Sequence, residues 1–157
     1  MENAPEKWVV SIASSSLSLD RLIKEAKKLP RGTIQIFDPN AVINRTHLCG
    51  AYADAIQAFK NGTNIAKDIG METLLFTAMT NQIKDAIKIA GAKTNKRFVL
   101  FCSSDIAYKK IRVHLKTEEF KPSIKESLAV AKKFGIIQSE DLDKFVLQKM
   151  AVSRLQD

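Results

Sequence analysis

The chain has 157 residues, of which 45% are hydrophobic and 27% charged, and its formal net charge is +8 at pH 7. These values are typical of a soluble globular protein whose length suits one domain with its own core. The longest apolar runs, 74–79 and 98–102, are far too short to span a bilayer, and the N-terminus MENAPEKW has no apolar signal region. We therefore expect one cytoplasmic domain over residues 1–157, with Cys49 and Cys102 as reduced, buried thiols.

The N-terminal part of the chain is predicted to form a strand, a helix and a second strand. Lys7–Ile12 has the composition of a strand, and a serine-rich turn over Ala13–Ser18 leads from it to a helix over Leu19–Leu29. Thr33–Asp38 alternates apolar and polar residues, which is the pattern of a half-buried strand.

Between residues 46 and 91, apolar residues recur at helical spacing in three successive stretches. The first stretch, 48–59, is followed by Asn61-Gly62, which is typical of a helix end because Gly accepts the left-handed conformation beyond the last turn. The second stretch covers 71–79 and the third covers 83–90. The apolar stripe of the third consists of Ile83, Ala86, Ile87 and Ala90. Because each helix has one apolar face, the three are expected to form a layer that rests on a sheet.

The C-terminal half is predicted to begin with a strand over Lys96–Cys102, whose continuous apolar run indicates burial on both faces. A capped helix over 105–115 follows it. Ser123 and Glu126 fit a capping box at the start of the next helix, and Ser139 is the predicted cap of the last one.

These elements together predict an α/β fold of the α+β type in a single domain. The small central sheet is expected to be largely antiparallel, to contain Trp8–Ile12, Ile34–Asp38 and Phe98–Cys102, and to be covered by several helices. Three strands are few for a sheet, so a further strand can still lie inside a segment assigned here as helix or loop.

The excess positive charge is concentrated in one part of the sequence. Residues 81–116 contain nine Lys or Arg and two acidic residues, whereas residues 1–80 and 117–157 are close to neutral. Such a concentration favours a positive surface for a polyanion. The alternative is a set of solvated helix faces that bind nothing.

Catalytic and metal-binding signatures are mostly absent from the sequence. The two histidines, His47 and His114, and the two cysteines lack the paired spacing of zinc ligands, and no glycine-rich phosphate loop is present. The serines at 14–16 can present hydroxyls and amides to a phosphate at a helix start, but a simple cap and turn is the interpretation that we favour. We therefore predict no catalytic residue, no metal and no cofactor.

The order and spacing of residues across almost the whole chain resemble a known family. IFDPN at 36–40, RFVLF at 97–101 and KMAVSRL at 149–155 match its pattern, together with a larger set in the helical region. That set consists of His47-Leu48, Ala58-Phe59, Gly62, Asn64-Ile65-Ala66, Met71-Glu72, Leu74-Leu75, Gln82-Ile83, Ala86 and Gly91. The chain resembles the small kinase-regulating subunit of the KEOPS complex, the PRPK-binding protein (TPRKB) family. It departs from the archaeal-type pattern at Asn81, where that pattern has Arg before Gln-Ile.

The resemblance implies a non-enzymatic role. KEOPS makes the threonylcarbamoyl modification of adenosine in tRNAs that read ANN codons. Its transferase subunit does the chemistry, and its small atypical kinase acts as an ATPase. The family resembled here binds and stimulates the kinase, and it meets the transferase only through that kinase. It also helps to recruit tRNA, notably through the single-stranded 3′ CCA end.

Two groups of basic residues are the candidates for RNA binding. Five lie close together in the sequence around one helix end and one strand start, namely Lys84, Lys88, Lys93, Lys96 and Arg97. Arg45 and Lys60 bracket the helix that the family resemblance implies to be nearby. His47 and Tyr52 are weaker candidates for stacking on bases. Because Tyr52 lies on the apolar stripe, we expect it in the core instead.

The last predicted helix, 139–155, carries a wide apolar arc, and it is the candidate surface for the kinase. The predicted contact residues are Leu142, Val146, Met150 and Leu155. The first three form a stripe at spacings of four, with Phe145 and Val152 beside it. The alternative is that both sides of the helix pack internally, and the resemblance, which implies a kinase contact for this helix, favours the interface.

Two other classes of protein fit the same sequence. One is a generic basic RNA-binding protein of ribosomal type, which would bind RNA whether or not it carries a free CCA end. The other is a small α/β enzyme whose site lies outside known motifs, which would turn over substrate as an isolated chain.

Overall fold

The computed structural model describes residues 8–29, 32–137 and 140–155. Four strands and seven α-helices follow one another in this described part of the chain. In chain order they are β1 (Val9–Ser15), α1 (Leu19–Lys27), β2 (Ile34–Phe37), α2 (Arg45–Asn61), α3 (Ile69–Ala78), α4 (Ile83–Ala90), β3 (Phe98–Cys102), α5 (Asp105–Ile111), β4 (Leu115–Glu119), α6 (Ile124–Lys133) and α7 (Leu142–Ser153). None of these helices is long and apolar enough to cross a membrane.

The chain divides into two compact units, and each is discontinuous in sequence. Unit 1 comprises Met1–Pro39 and Ala92–Phe120, and unit 2 comprises Asn40–Gly91 and Lys121–Asp157. Unit 1 therefore contains all four strands with α1 and α5, whereas unit 2 contains the other five described helices.

The sheet of unit 1 has the strand order β2-β3-β1-β4, and every neighbouring pair is antiparallel. The predicted α+β class and the predicted antiparallel sheet are therefore confirmed. All five residues of β3 are buried, as expected for a strand whose apolar run is continuous. On one face of the sheet, Phe98 packs in a cluster with Leu22 of α1 and Ile111 of α5.

Two boundaries in unit 1 differ from the prediction. β1 continues to Ser15, so Ala13–Ser15 is strand rather than turn. The helix predicted over 105–115 ends at Ile111, and β4 follows after a short 3-10 turn. β4 was missed because it is an edge strand with mostly exposed, charged side chains, so it lacks the alternation of apolar residues that marks a half-buried strand.

In unit 2 the predicted helix ends agree with the local chemistry. Gly62 ends α2 in the left-handed conformation at φ 70°, and the predicted capping box of Ser123 with Glu126 starts α6. Asp141 stands at the N-cap of α7 in the left-handed conformation and makes no side-chain cap hydrogen bond. The predicted cap Ser139 lies outside the described residues.

Helices α2 and α7 approach each other closely at Gly50. A Cβ atom at this position would overlap Leu147 Cδ2 and would lie 3.0 Å from Met150 Cε. The missing side chain therefore lets α7 lie directly on α2. Val146 and Met150 are fully buried in the resulting core of unit 2.

A buried ion pair ties three segments of unit 2 together. Glu72 of α3 is fully buried, and its Oε1 accepts the backbone N–H groups of Ile65 and Ala66 at 3.0 and 2.8 Å. Its Oε2 accepts a hydrogen bond from Nη1 of Arg154, which follows the last residue of α7. The Arg154 guanidinium carbon also lies 4.1 Å above the centre of the Phe76 ring. The loop after α2, helix α3 and the end of α7 are thus joined by one carboxylate.

Phe98→Ala tests the core of unit 1. Because Phe98 is fully buried and belongs to this cluster, the substitution should lower the free energy of unfolding by roughly 3–5 kcal/mol, which urea denaturation measures. The control Ile106→Ala alters a side chain that is 55% exposed and should cost less than about 0.5 kcal/mol. A loss below about 1 kcal/mol for Phe98→Ala would contradict a packed core at this position.

Candidate functional site

All seven predicted RNA-binding residues are exposed, but the structure distributes them over both units. Lys84 and Lys88 lie one turn apart on α4 in unit 2. Arg45 and Lys60 lie near opposite ends of α2, about 22 Å apart along its axis by the rise of an α-helix. α2 therefore presents two separate cations and not a pair.

The remaining three predicted residues, Lys93, Lys96 and Arg97, belong to unit 1. They lie in the connection between α4 and β3. The seven residues are thus not one continuous site within either unit. Lys84 and Lys88 are the two that one helix brings together.

The exposed side of α4 is more apolar than predicted. Ile83 and Ile87, predicted on the buried stripe, are 40% and 48% exposed, whereas Ala86 and Ala90 are fully buried. Two small alanines allow close packing of α4, and α4 packs against α3. The four residues Ile83, Lys84, Ile87 and Lys88 therefore form an exposed surface with both apolar and cationic character, which we name the α4 surface.

His47 is not available to stack on a base, because it is fully buried in unit 2. Its Nδ1 accepts the N–H of Ile43 at 3.0 Å, so the ring proton of the neutral form lies on Nε2, which donates to the carbonyl oxygen of Thr77 at 3.0 Å. The Phe134 ring packs edge-on against it. The stacking prediction for His47 is therefore wrong, and the core prediction for Tyr52, which is 8% exposed, is confirmed.

The predicted partner stripe on α7 faces the core. Val146 and Met150 are fully buried, so the prediction that they form an accessible contact is wrong. Leu142 is partly buried and packs against the same cluster, whereas Leu155 is 82% exposed. Periodicity identified the residues that share a face of this helix, but it did not show which face the close approach at Gly50 would bury.

An apolar groove lies instead beside the Phe145–Val152 side of α7. Its volume is 320 Å³, and we name it the α7 groove. It is lined mainly by Ile136, Ile137, Phe145, Gln148, Lys149 and Val152. Ile137 is 79% exposed and Val152 is 50% exposed. The seven-residue spacing of Phe145 and Val152 was visible in the sequence, but the contribution of the segment after α6 was not.

Comparison with known proteins decides the family. A family model described as "Kinase binding protein CGI-121" matches residues 14–154. The chain belongs to the CGI-121 family. A curated relative from Pyrococcus abyssi, "KEOPS complex subunit Cgi121", is 49% identical over 47 residues, which are 30% of this chain and 28% of the relative. This alignment therefore spans less than a third of that relative's length. The predicted resemblance to the kinase-regulating family of KEOPS is confirmed at the level of the family.

The region matched by the CGI-121 model contains both the α4 surface and the α7 groove. Within residues 8–29, 32–137 and 140–155, no group of three or more His, Cys, Asp or Glu side chains is placed to hold a metal ion. Cys49 and Cys102 are free thiols, and burial raises the pKa of each above its ordinary value. Both are therefore protonated and weakly nucleophilic at neutral pH.

The buried His47 of this CGI-121 chain should make its stability depend on pH. Burial lowers the pKa of His47 from 6.5 to about 4. Between these two pKa values the unfolded chain binds more protons than the folded protein, so the free energy of unfolding falls as the pH is lowered. The contribution of His47 to this fall is on the order of 3 kcal/mol. Urea denaturation of the wild type and of His47→Gln from pH 7 to pH 4 measures the difference. The variant should lose less stability over this range, and parallel curves would contradict the prediction.

Proposed function

We propose that this chain is a non-catalytic, cytoplasmic subunit of a KEOPS complex that acts in tRNA threonylcarbamoyladenosine modification. It binds and stimulates the small atypical kinase/ATPase subunit directly, and it meets the transferase subunit through that kinase. The observation that carries this proposal is the CGI-121 match over residues 14–154, whose family description is that of a kinase-binding protein. The printed name of the Pyrococcus abyssi relative supports assembly into KEOPS.

The α7 groove is the surface that we assign to the kinase. Exposed apolar side chains surrounded by polar ones are typical of the centre of a protein interface, and Gln148 and Lys149 supply polar neighbours to Ile137 and Val152 here. The assignment keeps α7 as the contact element and moves the contact from the buried stripe to the neighbouring side. Leu155, at 82% exposure, remains a candidate for the edge of this contact.

A charge in the α7 groove should disrupt kinase binding. Val152→Glu and Ile137→Glu each place a carboxylate among apolar side chains, so each should weaken the affinity for the purified atypical kinase at least about 30-fold, which calorimetry measures. The matched control is Ile124→Glu, which alters a side chain 78% exposed at the first turn of α6 and should leave affinity unchanged.

Val146→Glu supplies the contrast, because a carboxylate in the buried core should unfold the protein and not selectively remove binding. Circular dichroism separates the two results. Undiminished kinase affinity of both groove variants would refute the assignment of this surface.

We further propose that the α4 surface contacts tRNA, including its single-stranded 3′ CCA end. Lys84 and Lys88 supply positive charge for phosphates, and Ile83 and Ile87 supply apolar area against which unpaired bases can pack. The two lysines are one turn apart, so a single strand can meet both.

Charge reversal at Lys84→Glu and Lys88→Glu together should weaken tRNA binding, and more so at low salt, because phosphate contacts release counterions. Fluorescence anisotropy over a salt series measures the effect. The control Lys125→Glu with Lys132→Glu makes the same change of charge on the exposed side of α6 in the same unit.

Two outcomes would limit this proposal. Unchanged affinity of the α4 variant at low salt would remove the α4 surface from the RNA site. Equal affinity of the wild type for tRNA with and without its CCA end would favour a generic RNA-binding module.

A further inference from the structure

A basic groove lies in unit 1, and none of the described residues that line it belongs to the α4 surface. Its volume is 550 Å³, which is within the range of ligand sites. It is lined chiefly by Ser14, Ser15, Ser16, Lys96, His114 and Lys116. None of the described residues that line it is acidic.

Hydrogen bonds within unit 1 fix the walls of this groove. The Ser15 hydroxyl donates to the carbonyl oxygen of His114 at 2.9 Å, which joins the end of β1 to the start of β4. The Asn95 side-chain amide donates to the carbonyl oxygens of Ser15 and Leu17 at 3.1 and 2.9 Å, so the segment that carries Lys96 is tied to the same wall. The backbone segments that carry the polar groups of the groove are thus held in place before any ligand arrives.

The chemistry of the lining suits a phosphate. Lys96 and Lys116 are exposed and come from two different segments, and serine hydroxyls of β1 and its following turn lie beside them. An ammonium group and a hydroxyl both donate hydrogen bonds to phosphate oxygens. Val113 and Leu115 add apolar area to the lining, and none of its described residues has a carboxylate to repel an anion.

The surroundings distinguish a nucleic-acid strand from a single small phosphate. Residues 92–116 contain seven Lys or Arg and one acidic residue, Asp105. Just before His114 in the sequence, α5 and the following turn carry the exposed cations Lys109, Lys110 and Arg112. A mononucleotide would fill the groove alone, whereas a strand would also use this wider basic surface.

We propose that this groove of unit 1 binds the sugar-phosphate backbone of single-stranded RNA, as a contact additional to the α4 surface. The proposal rests on the tRNA-binding part of the proposed function and deepens it. Lys96 and Lys116 hold the phosphates electrostatically, and the hydroxyls of Ser14 and Ser16 donate hydrogen bonds to the same oxygens.

The test compares the double variant that carries Lys96→Glu and Lys116→Glu with a control double variant that carries Lys24→Glu and Lys27→Glu. The control makes the same change of charge on the exposed side of α1 in the same unit, outside the groove. Both pairs are titrated with a labelled single-stranded RNA at several salt concentrations. The groove variant should lose at least about tenfold in affinity at low salt, and its slope of log K against log salt should fall by about 1.4, as expected for two lost phosphate contacts. The neutral pair Lys96→Gln with Lys116→Gln should show the same direction of change.

A nuclear magnetic resonance titration of the wild type with the same RNA locates the contact, and the amides of Ser14, Ser16 and Lys116 should shift. Equal losses in the groove variant and its control, or an absence of these shifts, would overturn the proposal.

Displacement of the RNA by adenosine monophosphate or inorganic phosphate at stoichiometric concentration would overturn the assignment to a strand and indicate a small phosphate ligand. Loss of tRNA binding in the α4 variant alone would overturn the groove and leave the proposed function intact. Failure of the wild type to bind the kinase would instead refute the kinase-binding part of the proposed function, on which the groove does not depend.

Discussion

The buried carboxylate of Glu72 is the constraint on which the rest of unit 2 depends. A carboxylate removed from water needs compensating donors, and Glu72 receives them from two backbone N–H groups and from Arg154. Removing one partner of such a pair typically costs about 3–5 kcal/mol, because the other charge is then left buried without compensation. The loop after α2 and the residue after α7 can therefore adopt only positions in which they reach the same side chain.

This constraint explains which side of α7 is exposed. Arg154 fixes the C-terminal end of the helix, and Gly50 allows its middle to lie directly on α2. With both points fixed, Val146 and Met150 must enter the core, and the Phe145–Val152 side is left beside the segment after α6. The α7 groove is thus a consequence of how the helix is held.

The sequence predicted correctly the elements whose signals lie within the element itself. The prediction failed where contact with a residue distant in the sequence determines the structure. The continuous apolar run of β3, the glycine after α2 and the capping box of α6 are local signals, and each was interpreted correctly. β4 owes its strand conformation to pairing with β1, from Ser11↔Glu119 to Ser15↔Leu115, and nothing in its own charged sequence indicated it. Because β4 was missed, the groove that brings Ser14 beside Lys116 could not be predicted either.

Predictions for the candidate site succeeded where they rested on local properties and failed where they depended on distant contacts. Exposure of Lys84 and Lys88 followed from their charge, whereas the burial of His47 depended on the Thr77 carbonyl thirty positions away. For α7, the spacing of apolar residues predicted correctly which residues share a face of the helix. It did not predict which face is buried, because that is set by the contact at Gly50.

The insertion of residues 38–97 between β2 and β3 has a consequence for the order of folding. These strands are antiparallel neighbours, with Phe37 opposite Val99, so their pairing closes a loop of the whole inserted segment. For a flexible chain of that length the length-dependent part of the closure entropy costs roughly 4 kcal/mol. Helices α2, α3 and α4 are consecutive, and α2 packs on α3 and α3 on α4, so they can assemble through contacts between sequence neighbours before any strand pairs. Early assembly of these helices would shorten the flexible segment of the loop that β2 and β3 close when they pair. The helical insertion would thereby favour formation of the sheet that it interrupts.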